Sequence, residues 1–170
     1  MGGDAIKFCI QKQKRLVDLR RFLGKLPEKT LDIGQPNYAG RALGVMHNTL
    51  ATDFNFVILA PEKDYDAVLC FEVIEHVMNP FDMLRAIRGF LRPGGKLYLS
   101  TPVMFPWYQG PHHFTEYKVK NFRVMLEYAG FKILRSEITK PWPWWFMFWG
   151  FRPFFRVMFH RTQLYECEKI

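Results

Sequence analysis

The stretch YDAVLCFEVIEHVMNPFDMLRAIRGFLRPGGKLYLSTP (65–102) is the most informative part of the chain about its fold, because it predicts a complete strand–helix–strand unit. The apolar run YDAVLCF (65–71) predicts a buried strand in the middle of a parallel sheet. The segment KLYLST (96–101), in which apolar and polar residues alternate, predicts a second strand. The turn-forming residues RPGG (92–95) precede this second strand.

A helix is predicted between these two strands, in NPFDMLRAIRGFL (79–91). Asn79 can cap its first turn, and Pro80 fits the first helical position, where no N–H is needed. Asp82 complements the positive end of the helix dipole. These three residues predict that the helix begins immediately after Asn79.

The rest of the chain repeats this alternation of strands and helices. Strands are predicted at TLDIG (30–34), TLATDF (49–54), FKILRSEI (131–138) and TQLYECEK (162–169), and helices over 16–26, 38–46 and 115–129. Pro27 ends the first of these helices, whereas Thr115 caps the third and Gly130 ends it. We therefore predict an α/β fold of three layers, Rossmann-like, with ligands bound beyond the carboxyl ends of a mainly parallel sheet.

Length and composition predict one globular domain, 1–170, in a reducing compartment. A chain of 170 residues with 49% hydrophobic and 24% charged residues can bury a full core. Its three cysteines are scattered and show neither metal spacing nor a disulfide framework. Basic residues interrupt any early apolar segment, so we expect no signal peptide and a cytoplasmic protein.

The net charge of +8 is concentrated on the flanks. Residues 1–29 carry +5 and residues 139–170 carry +3, whereas residues 30–138 carry no net charge. Basic flanks suit anionic lipid, nucleic acid or an acidic substrate, or they only improve solubility.

In this order the segments resemble class I S-adenosylmethionine-dependent methyltransferases of the type 11 and type 23 groups. The stretch 65–102 is similar to the fourth strand, EVIEH turn, helix, L-x-P-G-G and fifth strand of that family. HHFTEY (112–117) and MLEYAGFKI (125–133) resemble the segment before its sixth strand. The resemblance implies an antiparallel last strand and S-adenosylmethionine as cofactor. It divides the domain into a basic N-terminal helix (1–29), a cofactor-binding core (30–138), an aromatic segment (139–161) and the last strand (162–170).

The first cofactor motif departs from the family pattern D/E-x-G-x-G-x-G. Asp32 and Gly34 match this pattern, but Pro36 and Tyr38 stand where small residues are expected. Because proline removes an N–H and restricts φ, the turn must have another shape. The altered motif leaves open whether the cofactor still binds.

The region that would bind ribose and adenine is shortened. Asp53 follows Asp32 by 21 residues, which is close to the spacing of a ribose-binding acid. Asp66 follows only 13 residues later, where the family normally has a further helix and strand. Asp53 therefore represents the ribose acid, the adenine acid or an ordinary turn residue.

The resemblance implies a set of cofactor-binding residues. They are Asp32, Gly34, Gln35, Asp53, Phe54, Phe71 and Glu72. Asp32 would lie near the amino group of the cofactor, and Gly34 would allow close approach of the backbone. The side-chain amide of Gln35 could replace a backbone contact. Phe54 and Phe71 would give apolar contact to the adenine or the sulfonium.

His112 and His113 are the candidate catalytic bases, since histidine titrates near neutral pH and both follow the loop after the fifth family strand. Glu72, Glu75 and His76 would share one side of a helical turn, where two carboxylates and an imidazole could bind a divalent ion. We favour the alternative without a metal, in which Glu75 and His76 orient loops through hydrogen bonds.

The segment KPWPWWFMFWGFRPFFRVMFHR (140–161) holds four of the five tryptophans. Its uncharged run, 141–151, is too short to span a bilayer as a helix. The simplest interpretation is a hydrophobic helix that packs on the sheet or forms a homodimer contact. Aromatic residues with arginines also suit peripheral membrane contact through 141–160 or a lid over an apolar acceptor. Base stacking is disfavoured because no long basic groove is present, so we expect no nucleic acid partner.

Three functions are compatible with these observations. The first is methyl transfer from S-adenosylmethionine to a small or lipid-linked acceptor, at oxygen. The second is a non-catalytic methyltransferase-like domain that binds a partner or a membrane. The third, a nicotinamide-dependent dehydrogenase, is disfavoured because G-x-G-x-x-G does not follow the first strand.

Overall fold

The computed structural model describes residues 2–33, 38–45, 47–48, 62–106 and 113–170. The strands are β1 (Thr30–Asp32), β2 (His47–Asn48), β3 (Tyr65–Phe71), β4 (Leu91–Pro102), β5 (Phe131–Thr139) and β6 (Thr162–Lys169). The helices are α1 (Gly2–Leu23), α2 (Tyr38–Ala42), α3 (Pro80–Phe90), α4 (Val119–Tyr128) and α5 (Phe151–Phe159), with short 3₁₀ helices at Ile74–His76 and Trp144–Trp149.

Within the described ranges, the strands form one six-stranded sheet in the order β2-β1-β3-β4-β6-β5. The pairs β1–β2, β1–β3 and β3–β4 are parallel. Strand β6 runs antiparallel to both of its neighbours, β4 and β5. The predicted α/β fold, with a mainly parallel sheet and an antiparallel last strand, is confirmed. Its topology brings the carboxyl ends of β1, β3 and β4 to one edge.

Helices cover both faces of the sheet, because side chains alternate along the central strand β3. Val68 and Cys70 face the core that α3 and α4 complete. Ala67 and Leu69 face the core that α1 completes. The helical residues of these two cores are Met83, Leu84, Ile87, Phe122 and Leu126 on one face and Leu19, Phe22 and Leu23 on the other. The sheet is thus the middle of three layers, as predicted.

The helix-start signals around Asn79 act as the sequence predicts. Helix α3 begins at Pro80, and the Asn79 side chain accepts a hydrogen bond from the Asp82 N–H at 3.2 Å. The predicted RPGG turn is instead a bulge within β4. Leu91 pairs with Tyr65 and Lys96 pairs with Ala67, so residues 92–95 are accommodated between two ladder positions. Gly94 supports this bulge with a φ of 70°.

The prediction that Thr115 caps a helix is wrong. Helix α4 begins at Val119, and its N-cap residue Lys118 makes no side-chain capping bond. Residues 114–117 are held by other contacts, because the Phe114 N–H donates to the Glu75 carbonyl at 2.8 Å and Tyr117 forms a β-bridge with Val103. The segment before α4 is therefore tied to the site edge of the sheet.

The first half of the chain differs from prediction in detail. Helix α1 ends at Leu23, four residues before Pro27, and Gly24 follows with a φ of 64°. Helix α2 ends at Ala42, before the predicted end at Met46. A two-residue strand, β2, lies just before the predicted strand 49–54, which is outside the described residues.

The aromatic connection between β5 and β6 is a 3₁₀ helix followed by α5 rather than one helix. Trp142, Phe146 and Val157 form a cluster separate from the two cores of the sheet. The prediction of one hydrophobic helix in this segment is therefore wrong. Its buried side chains pack with each other, apart from the two cores of the sheet. No helix in the described part of the chain is long and apolar enough to cross a membrane.

Candidate functional site

Polar side chains collect where three parallel strands end. Asp32 closes β1 and is 2% exposed, and Glu72 follows β3 directly. Ser100 and Thr101, near the end of β4, are fully buried. Phe71 pairs with Ser100 in the β3–β4 ladder, which sets these residues at the same height. This edge is where α/β folds bind ligands.

Glu72 turns sharply out of β3 and is held by β4 and α1. Its φ of 54° lies in the left-handed region, and its N–H donates to the Ser100 carbonyl at 3.0 Å. The Ser100 hydroxyl donates to Glu72 Oε1 at 2.9 Å, and Arg15 lies 3.5 Å from the same oxygen. Sequence reasoning missed Arg15, because no local pattern relates α1 to the end of β3.

Glu75 is a fully buried carboxyl group in the 3₁₀ turn after β3. The Thr101 hydroxyl donates to its Oε2 at 3.1 Å, whereas Oε1 has no hydrogen-bond partner among the described residues. Burial raises the pKa of Glu75 to about 8, and the neighbouring Glu72 charge adds to this. The charge of Arg15 only partly offsets the shift. Glu75 is thus a group that can hold a proton near neutral pH.

Two imidazoles lie beside Glu75. His113 Nδ1 is 2.7 Å from Glu116 Oε1, and the Glu116 side chain is only 7% exposed. The His76 and His113 rings meet edge to face with centroids 4.8 Å apart. A carboxylate at Nδ1 favours the tautomer that carries its proton there, so Nε2 becomes the basic atom of His113.

Glu75, His76 and His113 could together hold a divalent cation. One ligand atom from each lies within 4.8 Å of the others. The buried Glu75 Oε1 without a partner fits such a role. One carboxylate and two imidazoles are donors that transition metals accept. The metal site considered from the sequence was Glu72, Glu75 and His76. In the structure Glu72 contacts Arg15 instead, and His113 takes its place in the set.

The structure describes four of the predicted site residues. Asp32, Phe71 and Glu72 lie together at the ends of β1 and β3, and His113 joins the cluster around Glu75. Phe71 is half-buried and packs against the core beneath α1. The predicted residues Gly34, Gln35, Asp53, Phe54 and His112 lie outside the described residues.

Known proteins match a large part of this chain in sequence. A family model described as a methyltransferase domain matches residues 35–136. A ubiquinone biosynthesis O-methyltransferase from Xanthomonas axonopodis pv. citri (strain 306) is 32% identical over 105 residues. That match covers 49% of this chain and 44% of the relative, so the chain spans less than half the length of the curated relative.

Solved structures share the fold at low sequence identity. An S-adenosylmethionine-dependent methyltransferase from Mesorhizobium loti superposes with a TM-score of 0.64 at 14% identity, covering 92% of this chain and 98% of the other. A Burkholderia thailandensis 1,6-didemethyltoxoflavin-N1-methyltransferase, with 1,6-didemethyltoxoflavin and S-adenosylhomocysteine bound, gives 0.61 at 14% identity. The latter match covers 95% of this chain and 79% of that structure.

Proposed function

We propose that the chain transfers a methyl group from S-adenosylmethionine to an oxygen atom of a small or lipid-linked acceptor. The premise is that the chain belongs to the family of S-adenosylmethionine-dependent methyltransferases. The members of this family are enzymes, and S-adenosylmethionine is their cofactor. The observation that carries the proposal is the His113–Glu116 pair beside the buried Glu75, at the carboxyl edge of the sheet.

The acidic groups at this edge fit the cofactor. S-adenosylmethionine carries a positive sulfonium and an ammonium group, and opposite charges at short distance attract strongly where water is excluded. Asp32 is almost completely buried at the end of β1 and would face the ammonium group. Glu72 would contribute less net charge, because Arg15 and Ser100 already contact its carboxylate.

His113 would act as the base in the transfer. Glu116 keeps the imidazole proton on Nδ1, so Nε2 can accept the proton of the acceptor hydroxyl. S-adenosylmethionine, when bound, would supply the electrophilic methyl group for the acceptor oxygen and would leave as the neutral thioether. The residues around the reactants contribute mainly alignment, which is the largest demand of such an in-line transfer.

Glu75, His76 and His113 would hold a divalent cation if the protein uses one. Such a cation would lower the pKa of the acceptor hydroxyl. In that case His113 would serve as ligand, and Glu75 would bind as the carboxylate. The two alternatives differ in their response to chelators.

The neighbourhood of the site supports an acceptor with an apolar part. Phe105 follows β4 at the same edge, and its ring stacks on Phe159 with centroids 5.1 Å apart. Phe114, next to His113, is 46% exposed. A relative that is 32% identical over 105 residues is named as a ubiquinone biosynthesis O-methyltransferase, which supports testing phenols with prenyl chains as acceptors.

Binding and transfer test the proposal separately. Calorimetry with S-adenosylmethionine and S-adenosylhomocysteine compares the wild type with Asp32→Ala and with the control Asp66→Ala, a surface residue paired with Arg92. We expect micromolar binding that only Asp32→Ala weakens, by about tenfold or more. If the folded protein binds neither compound, the proposed methyl transfer is refuted and a non-catalytic domain is favoured.

Transfer of a labelled methyl group to phenols, with and without prenyl chains, identifies the acceptor class. His113→Gln should lower the rate by about a hundredfold or more. The control Glu168→Gln, on the far end of β6, should not change it. Activity that is lost with a chelator and recovered with a divalent cation would support a cation at this site. Activity that the chelator does not change would support His113 as the base.

Four expectations from the sequence stay predictions: a homodimer, peripheral membrane contact through 141–160, the absence of a nucleic acid partner, and a cytoplasmic location.

A further inference from the structure

The aromatic segment, residues 141–160, packs largely against itself. Trp142, Phe146 and Val157 form a small core that is separate from the two cores of the sheet. Trp142 Nε1 donates to His160 Nδ1 at 3.1 Å, which joins the two ends of the segment. The segment is therefore a folded unit with an inner and an outer side.

Its outer side is unusually apolar. Nine large apolar side chains in this segment are between 39% and 80% exposed: Trp144, Trp145, Phe148, Trp149, Phe151, Phe154, Phe155, Met158 and Phe159. At about 200 Å² for each side chain, roughly 900 Å² of apolar surface meets water. Ordinary monomers rarely expose a patch larger than about 600 Å². Ring contacts connect Trp144 with Phe148, Trp145 with Trp149 and Phe151 with Phe155. An exposed apolar area of this total size indicates a surface that another body covers.

The charge of the segment favours an anionic partner. Residues 140–161 contain four basic residues, Lys140, Arg152, Arg156 and Arg161, and no acidic residue. The side chains of Lys140 and Arg161 are exposed. A second copy of the chain would bring the same positive surface against itself, and like charges opposed in this way disfavour association.

The basic helix α1 extends this surface. A groove of about 460 Å³ runs between α1 and the start of the aromatic segment. Lys14 and Arg21 of α1 line it together with Lys140, Trp144 and Trp145. Lys14 and Arg21 also pair with carboxylates on the same wall, whereas Lys140 has no ion pair with any residue that the structure describes.

We propose that the face formed by Trp144–Trp149 and Phe151–Phe159 docks on the surface of a bilayer that contains anionic phospholipid. Tryptophan and phenylalanine enter the boundary between headgroups and acyl chains, as they do in other interfacial segments. The exposed Lys140 and Arg161 side chains bind the negative headgroups. Because Phe159 stacks on Phe105, docking also brings the carboxyl edge of the sheet close to the bilayer. The docking does not depend on the proposed methyl transfer.

Vesicle binding of the full chain tests this proposal. Flotation with phosphatidylcholine vesicles, with and without phosphatidylglycerol, should show binding that needs the anionic lipid and weakens as salt is added. The triple variant Trp144→Ser, Phe148→Ser, Phe151→Ser should lose binding. The matched control Val124→Ser, Tyr128→Ser removes exposed apolar side chains from α4 and should bind as the wild type does.

Two double variants, which reverse the same number of charges, test whether vesicle binding needs the basic residues at the ends of the aromatic segment. Lys140→Glu with Arg161→Glu, both at exposed positions, should weaken binding by at least about twentyfold, since each lost cation near the surface costs about fivefold. Lys118→Glu with Lys120→Glu changes charge equally, on exposed positions at the start of α4, and should weaken binding far less. Equal loss in both pairs would refute a docking face at the aromatic segment.

Quenching in the wild type covers the case in which the triple variant does not fold. Four of the five tryptophans lie in the segment, so brominated acyl chains should quench most of the emission. Absence of quenching, or a stable dimer in solution that the triple variant dissociates, would overturn the proposal.

Discussion

Replacing Glu75 with glutamine should make the stability of the protein less dependent on pH. The native pKa of Glu75 is about 8, compared with 4.5 for an ordinary glutamate. Between these two values the native state keeps its proton whereas the unfolded chain has lost it. Ionisation therefore favours unfolding, and the stability of the wild type falls as pH rises through this window.

The size of the effect follows from the pKa shift. One pKa unit corresponds to about 1.4 kcal/mol, so the free energy of unfolding decreases by at most about 5 kcal/mol between about pH 4.5 and 8. Full burial of Glu75 means that solvent does not screen this penalty. Glutamine has the same shape, stays neutral and can still accept from Thr101, although its buried amide adds a constant cost of about 1 to 3 kcal/mol.

Urea unfolding in the presence of a chelator measures this prediction. The stability of Glu75→Gln relative to the wild type should rise steadily from about pH 5 to about pH 8 and then level off. The control Glu127→Gln, an exposed residue on α4, should run parallel to the wild type. A stability difference for Glu75→Gln that does not change across this range would refute the burial argument.

Three further predictions concern the site, the core and the thiols. Glu116→Gln should lower kcat by roughly tenfold to a hundredfold with little change in KM, because His113 loses the carboxylate that sets its tautomer; an equal change in KM instead would contradict this. Phe122→Ala should reduce the free energy of unfolding by about 3 to 5 kcal/mol, whereas Phe148→Ala, at 73% exposure, should change it by less than about 0.5 kcal/mol in urea titrations. Burial raises the pKa of Cys167 to about 12. Its alkylation near pH 8, measured by peptide mass spectrometry, should therefore be roughly a thousandfold slower in the native protein than in denatured protein. Similar rates in the two states would refute the burial of this thiol.

The order of strands and helices was predictable because it depends on local patterns. The apolar run of β3 and the cap at Asn79 act over a few residues, and the structure reproduces both. Thr115 shows the limit of such reasoning. Its residue type suits a cap, but Phe114 donates to the Glu75 carbonyl, far away in sequence, and this contact delays the helix to Val119.

Periodicity and short motifs were enough to predict the fold class, the family resemblance and the sheet edge that holds the candidate site, because they are local properties of the sequence. Which side chains meet at that edge depends on tertiary packing. Glu75 changes its pKa because the packed core excludes water, and His113 joins it because the loop before α4 is bonded to the 3₁₀ turn. Arg15 reaches Glu72 because α1 packs on the sheet. Burial and long-range contact depend on how the layers assemble, and no single segment encodes them.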